Sequence, residues 1–332
     1  MRWRKAAAAG GAALGAAALY NATAEHRAAP LANELGGESA ELVWRGHRIA
    51  YTRHGAGSPV LLVHGFYPGA SSNEWRHTVG SLAERHTVFA MDWLGFGRSA
   101  RPALRYTPAL YQALLADVIT TLGRGPVSVI ASGLSAATAV VLAARDPRHF
   151  AALALVAPSG VVQGRDRSTT GEAATQLLLG TPVVGTAMYN LLTSDASMRD
   201  FLEDAYANDR LVTPELVEAY VQNARQAGGK HAVAALVGGR LNVDVRGALR
   251  RVRHPMLLVW GDQARLNSVQ HAHAFRVLKP EMAWVLISGA GDLPHDEQPE
   301  RTNDALHRFL ERVERGARGG GPRLMSGDVK RA

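Results

Sequence analysis

The stretch Val127-Ser128-Val129-Ile130-Ala131-Ser132-Gly133-Leu134-Ser135-Ala136-Ala137, running on through apolar residues to Ala143-Ala144-Arg145-Asp146-Pro147, decides the fold. A short β-rich run, a turn of small residues and a helical run ending before a proline make a strand–turn–helix unit. In this setting a G-x-S-x-G sequence presents a serine at a sharp, strained turn, a nucleophile elbow. The central position of the window formed by residues 131–135 is Gly133, which carries no nucleophile.

Working outward, strands alternate with helices. Residues 42–44 and 49–52, around Arg45-Gly46-His47, read as a hairpin. Residues 59–63 are a continuous apolar run that suits a buried parallel strand. Strands are also expected at 88–91, 151–156, 256–260 and 282–287, with helices near 75–85, 110–122 and 300–313. This alternation implies a mostly parallel sheet with helices on both faces. Between residues 158 and 253 the pattern changes to helical spacing at 181–192, 198–207 and 215–226. Thr213 is expected as an N-cap and Pro214 in the first turn. The expected organisation is a leader at 1–40, an α/β core at 41–157 and 254–314, a helical cap insertion at 158–253, and a disordered basic tail at 315–332.

Composition narrows the function. The 332 residues include no cysteine, which excludes disulfides, thiolate nucleophiles and cysteine metal sites. The net charge is +8, and part of it sits at the ends, in Arg2, Arg4 and Lys5 and in Arg312, Arg315, Arg318, Arg323, Lys330 and Arg331. No basic stripe with interleaved aromatics crosses the central region, so no nucleic-acid partner is expected. The basic start, the small-residue run 6–20 and Ala22-Thr23-Ala24 have the layout of a targeting segment. Export signal, membrane-proximal anchor and disordered leader stay open. Membrane association or export is the expected location, with the cytoplasm as the alternative. No histidine and carboxylate cluster has metal-ligand spacing. Gly95-Phe96-Gly97 could begin a dinucleotide loop, but Arg101-Pro102 stands where its helix should open. No cofactor is expected.

Four separated motifs carry a family resemblance. Val63-His64-Gly65-Phe66 follows a strand. Asp92-Trp93-Leu94-Gly95-Phe96-Gly97-Arg98-Ser99 resembles D-x-x-G-x-G-x-S. The elbow unit is the third. Gly289-Ala290-Gly291-Asp292-Leu293-Pro294-His295-Asp296-Glu297-Gln298-Pro299-Glu300 is similar to G-x-G-H-x-x-H-x-E-x-P-E. Together they make the chain, over about residues 41–313, resemble the capped, esterase- and lipase-like α/β-hydrolases. The resemblance implies the α/β-hydrolase fold, and a Ser–acid–His triad in that chain order.

Each triad slot can be located, and each is changed. The nucleophile slot is Gly133. The acid slot of W-G-x-x-D is Ala264, in Trp260-Gly261-Asp262-Gln263-Ala264. The base slot is Asp292, and a carboxylate is a much weaker base than imidazole near neutral pH. Standard Ser–His–Asp catalysis is therefore expected to be absent. The expected function is binding of a small apolar ligand, or of a protein partner, at a cap-covered pocket. An oxyanion hole from the N–H groups of Phe66 and Leu134 is expected to remain. His64, Tyr67 and Trp93, with Met188 and Tyr189 of the cap, are expected to line the pocket. The alternative is an active ester hydrolase with displaced groups, Ser132 or Ser135 with His295 and Asp262. A lyase or cofactor-free oxygenase is a third reading, and Asp292 counts against it, because such relatives keep the base-slot histidine.

Overall fold

The chain enters its sheet as a hairpin. β1 (Glu38–Trp44) and β2 (His47–His54) pair antiparallel around Arg45 and Gly46, whose φ values are 49° and 80°. Two successive left-handed residues match the twist of a two-residue hairpin. β1 begins at Glu38, inside the stretch expected as leader. This computed structural model describes residues 29–161 and 181–318, with Gly15, Leu19, Asn21 and Leu179 besides. The rest of the leader run, residues 22–24 and the tail after Arg318 lie outside the described residues.

Six more strands follow: β3 (Ser58–Val63), β4 (His86–Met91), β5 (Val127–Ser132), β6 (Phe150–Val156), β7 (Met256–Gly261) and β8 (Ala283–Ile287). The sheet order is β1-β2-β4-β3-β5-β6-β7-β8. Only the pairs involving β2 are antiparallel; every neighbour from β4 to β8 is parallel. Parallel strands need crossovers, and the helices supply them: α1 (Val79–Ala83), α2 (Pro108–Gly123) and α3 (Gly133–Arg145). The cap follows as α4 (Val184–Leu192), α5 (Asp195–Ala205), α6 (Pro214–Ala224) and α7 (Lys230–Val237). The core resumes with α8 (Arg246–Arg251), α9 (Gln270–Leu278), α10 (Pro294–Glu297) and α11 (Pro299–Arg318).

Both sheet faces are covered. Leu61, Val63, Val129 and Ala131 face one apolar core with α2 and α3. Val60, Leu62, Ile130 and Val259 face the other, closed by Leu306, Phe309 and Leu310 of α11. Two buried faces explain why the strands read as unbroken apolar runs rather than alternating ones. Among the described residues no helix is long and apolar enough to cross a membrane.

The structure corrects several sequence expectations. The helix expected at 75–85 is a 3-10 turn (Ser72–Trp75) followed by the short α1. The break follows from Glu74 and Trp75, which are both buried and hold the turn against the core. α7, α8 and α9 were not expected. α7 opens from Gly229 and α8 from Val245, neither with a side-chain cap bond, so their sequences carry no start signal. α8 also packs on α3 of the core rather than on the cap. Thr213 does cap α6, accepting from Leu216 N at 3.2 Å, and Pro214 stands in its first turn.

Candidate active site at the turn between β5 and α3

Gly133 has φ of 52°, a left-handed conformation that a side chain adopts at a cost. The turn is therefore sharp, and its central residue carries no hydroxyl. A Cβ built on Gly133 would meet no atom within 4 Å. The N–H groups of Phe66 and Leu134 donate to no acceptor among the described residues.

Asp292 and the chain after Ala264, the positions expected as base and acid slots, form a loop clasp. Asp292 Oδ2 accepts from the N–H groups of Arg265 and Leu266, each at 3.0 Å, and Oδ1 from that of Asn267 at 2.7 Å. Burial pushes the Asp292 carboxyl above its ordinary range, while these three donors pull it back down. The carboxylate occupies itself with the chain just after Ala264, which is buried without a polar group. Three of the roughly four acceptor sites of this carboxylate are therefore taken up by backbone N–H groups.

The displaced candidates fall into three places. Ser135 Oγ donates to His64 O at 2.6 Å and accepts from Trp93 Nε1 at 2.8 Å, fully buried. Asp262 accepts from Ser288 Oγ at 3.0 Å and Gly289 N at 2.8 Å, bracing the end of β8. Ser132 and His295 do come together, on a residue the sequence reading missed. Ser132 Oγ donates to Glu74 Oε1, and His295 Nε2 lies 3.1 Å from the same oxygen. The second oxygen of Glu74 accepts from Gly65 N at 2.9 Å and from the Tyr67 hydroxyl.

This cluster has the groups of a triad in the wrong order. Proton transfer needs the imidazole between hydroxyl and carboxylate. Here the carboxylate of Glu74 lies between Ser132 and His295. All three residues are buried, and His295 stacks on Trp75 with ring centroids 4.2 Å apart. Burial alone would raise the Glu74 carboxyl. The close approach of His295, then His64 and Ser132, outweighs it and holds the group below the ordinary carboxylate range. Burial and then the Glu74 charge push the Tyr67 phenol well up, so it stays a donor. No local sequence signal marks Glu74, because its partners come from residues 65, 67, 132 and 295.

The residues expected to line the pocket divide. His64 and Trp93 are completely buried. His64 Nε2 accepts from Trp93 N at 3.1 Å, which fixes Nδ1 as the donor to Gly65 O at 2.7 Å. Burial pushes its pKa down against the pull of Asp92 and Glu74, so it stays neutral. Tyr189 is spent inside the cap, donating to Ala224 O at 2.7 Å, and Met188 is partly buried beside it. Tyr67 stacks on Tyr220 of α6 with centroids 5.8 Å apart, so it stands between elbow and cap.

An open, mostly parallel sheet whose middle strand turns sharply into a helix, under a helical cap, is the build of a capped α/β-hydrolase. A model of the alpha/beta hydrolase family matches residues 60–305, and the chain belongs to that family. It is 27% identical over 275 residues to 2-hydroxy-6-oxo-6-(2'-aminophenyl)hexa-2,4-dienoic acid hydrolase of Metapseudomonas resinovorans, across 80% of this chain and 89% of that one. It is also 27% identical over 245 residues to 2-hydroxymuconate semialdehyde hydrolase of Pseudomonas sp. strain CF600, across 69% and 78%. A solved serine hydrolase involved in carbazole degradation is similar with a TM-score of 0.70 and 25% identity, across 83% of this chain and 99% of that one.

Proposed function

We propose that this protein is an α/β-hydrolase that binds a small, weakly polar ligand under its cap and does not cleave it. One observation carries the reading: the three triad slots hold Gly133, Ala264 and an Asp292 whose carboxylate is taken up by three backbone N–H groups. Among the described residues no imidazole is hydrogen-bonded to a serine hydroxyl at the elbow. What supports binding is the open space above Gly133 beside the unengaged N–H groups of Phe66 and Leu134. A carbonyl or carboxylate oxygen would accept from such a pair, as an oxyanion does in active relatives. The named relatives are hydrolases of a 2-hydroxy-6-oxo-dienoic acid and of 2-hydroxymuconate semialdehyde, so a small carbonyl compound is the class of ligand proposed.

The test uses p-nitrophenyl butyrate as probe. The purified chain is expected to bind it intact in equilibrium dialysis and to release p-nitrophenol at the buffer rate. Gly133→Leu, which puts a side chain into the open space, is expected to abolish that binding. Release well above the buffer rate, lost in Ser132→Ala, would overturn the reading.

A further inference from the structure

A second cleft, sharing no lining residue with the elbow, opens where core, cap and leader meet. Its volume is about 590 Å³, within the roughly 300–1,000 Å³ of small-molecule sites. Ser39, Glu41 and Arg48 of the β1–β2 hairpin form one side, and Arg98 and Arg101 of the loop after β4 form another. Pro30, Leu31 and Asn33 line it further, as a strap. The strap is fixed to the cap, with Gln226 Nε2 donating to Ala29 O at 2.7 Å and Ala29 N donating to Gln222 Oε1 at 3.3 Å.

The three arginines are not equally compensated. Arg98 pairs with the buried Asp92 at 3.2 Å, and its Nη1 reaches Ser39 Oγ at 3.4 Å. Arg48 pairs with Glu41 at 3.4 Å, and both are exposed. Arg101 has no carboxylate within ion-pair reach among the described residues. Its Nη2 donates only to the carbonyl oxygens of Gly97 and, at 3.5 Å, Asn223. Its Nε and Nη1 donate to no group of the described chain, and neither is sealed from solvent. Burial pushes the Arg101 pKa below its ordinary value; Tyr189, the more distant Asp92 charge and Tyr106 pull against it, and Arg48 adds to the push. A largely buried guanidinium that lines an open cleft, with no carboxylate in ion-pair reach among the described residues, has room for an anionic partner.

We infer that this cleft is a binding site for a small molecule bearing an oxyanion group, held by Arg101 with Arg48 at its rim. A phosphate and a carboxylate share the acceptor geometry that guanidinium groups recognise. Isothermal titration of the full chain at low ionic strength, with inorganic phosphate in one arm and succinate in the other, tests the site and separates the two. Saturable binding of either probe is expected, weakened about tenfold or more by Arg101→Gln and weakened also by Arg48→Gln. Arg101→Lys, which keeps the charge, is expected to bind better than Arg101→Gln. Because Arg101 also ties Gly97 to Asn223, its variants are compared only if their thermal midpoints stay near the parent's. Arg48→Gln, at a half-exposed side chain, decides the matter otherwise. Gly133→Leu is expected to leave this binding unchanged. The inference fails if neither probe saturates, or if binding is the same within twofold in the Arg48 and Arg101 variants.

Discussion

At the scale of single residues, Asp292 holds a loop together. Its three backbone donors come from consecutive residues, so one carboxylate fixes a whole turn of the loop after Ala264. Asp292→Ala leaves those N–H groups without acceptors. The expected loss of unfolding free energy is about 1–3 kcal/mol, read from urea denaturation. Gly133→Ser is expected to fold, since its Cβ meets no atom, and to lose about 1 kcal/mol to the left-handed backbone. It is not expected to gain ester hydrolysis, because no histidine is placed to take the proton. The turn at Gly133 was legible in the sequence because it sits inside a contiguous strand–turn–helix motif, and the φ of 52° at Gly133 agrees with it. The bonds that Asp292 makes were not legible. Asp292 reads in sequence as a poor base, and only the fold brings the N–H groups of Arg265, Leu266 and Asn267 to it.

At the scale of elements, the loop between β8 and α10 is fastened to the cap. Asp292 N donates to Ala205 O at 2.8 Å at the end of α5, and Glu297 accepts from Ala207 N at 2.7 Å and Gly291 N at 2.6 Å. The contact needs Gly291, where a Cβ would stand 2.3 Å from Ala205 O. Gly291→Ala is expected to cost about 1–3 kcal/mol by overpacking, and to raise protease cleavage within the cap. Beneath the elbow, Glu74 ties the 3-10 turn to β5 and α10 through Ser132 and His295. Glu74→Ala strips a buried carboxylate from its donors and is expected to cost about 3–5 kcal/mol. The strands and the long helices announced themselves by apolar runs and by caps such as Thr213. The Glu74 turn did not, because burial rather than periodicity holds it.

At the scale of the whole molecule, buried histidine and carboxylate set an acid sensitivity. His64 is neutral in the fold with its pKa pushed down by burial, whereas in the unfolded chain it titrates near 6.5. Its contribution is present above pH 6.5 and is lost as the pH falls toward the folded value. Glu74, held below its ordinary 4.5, adds a loss in the same direction at lower pH. Asp292 and Glu297, both raised mainly by burial, act oppositely, gaining stability on acidification through their own raised values. His54, His77, His86, His231 and His254 are also pushed down, mainly by burial, and act in the same direction as His64, so unfolding free energy is expected to fall between pH 7 and pH 5.5. The slope approaches about 1.4 kcal/mol per pH unit for one fully suppressed proton. Urea midpoints at the two pH values check it; a flat or rising trend would remove His64 from the account.

Covalent labelling probes the chemistry of the elbow itself. A fluorophosphonate probe reacts with a serine only when a base has activated the hydroxyl. On folded protein the expected result is no labelling above a heat-denatured control, with Ser132→Ala and Ser135→Ala indistinguishable from the parent. Stoichiometric labelling that disappears in Ser132→Ala, and also in His295→Ala, would contradict the account and make the Glu74 cluster an active centre.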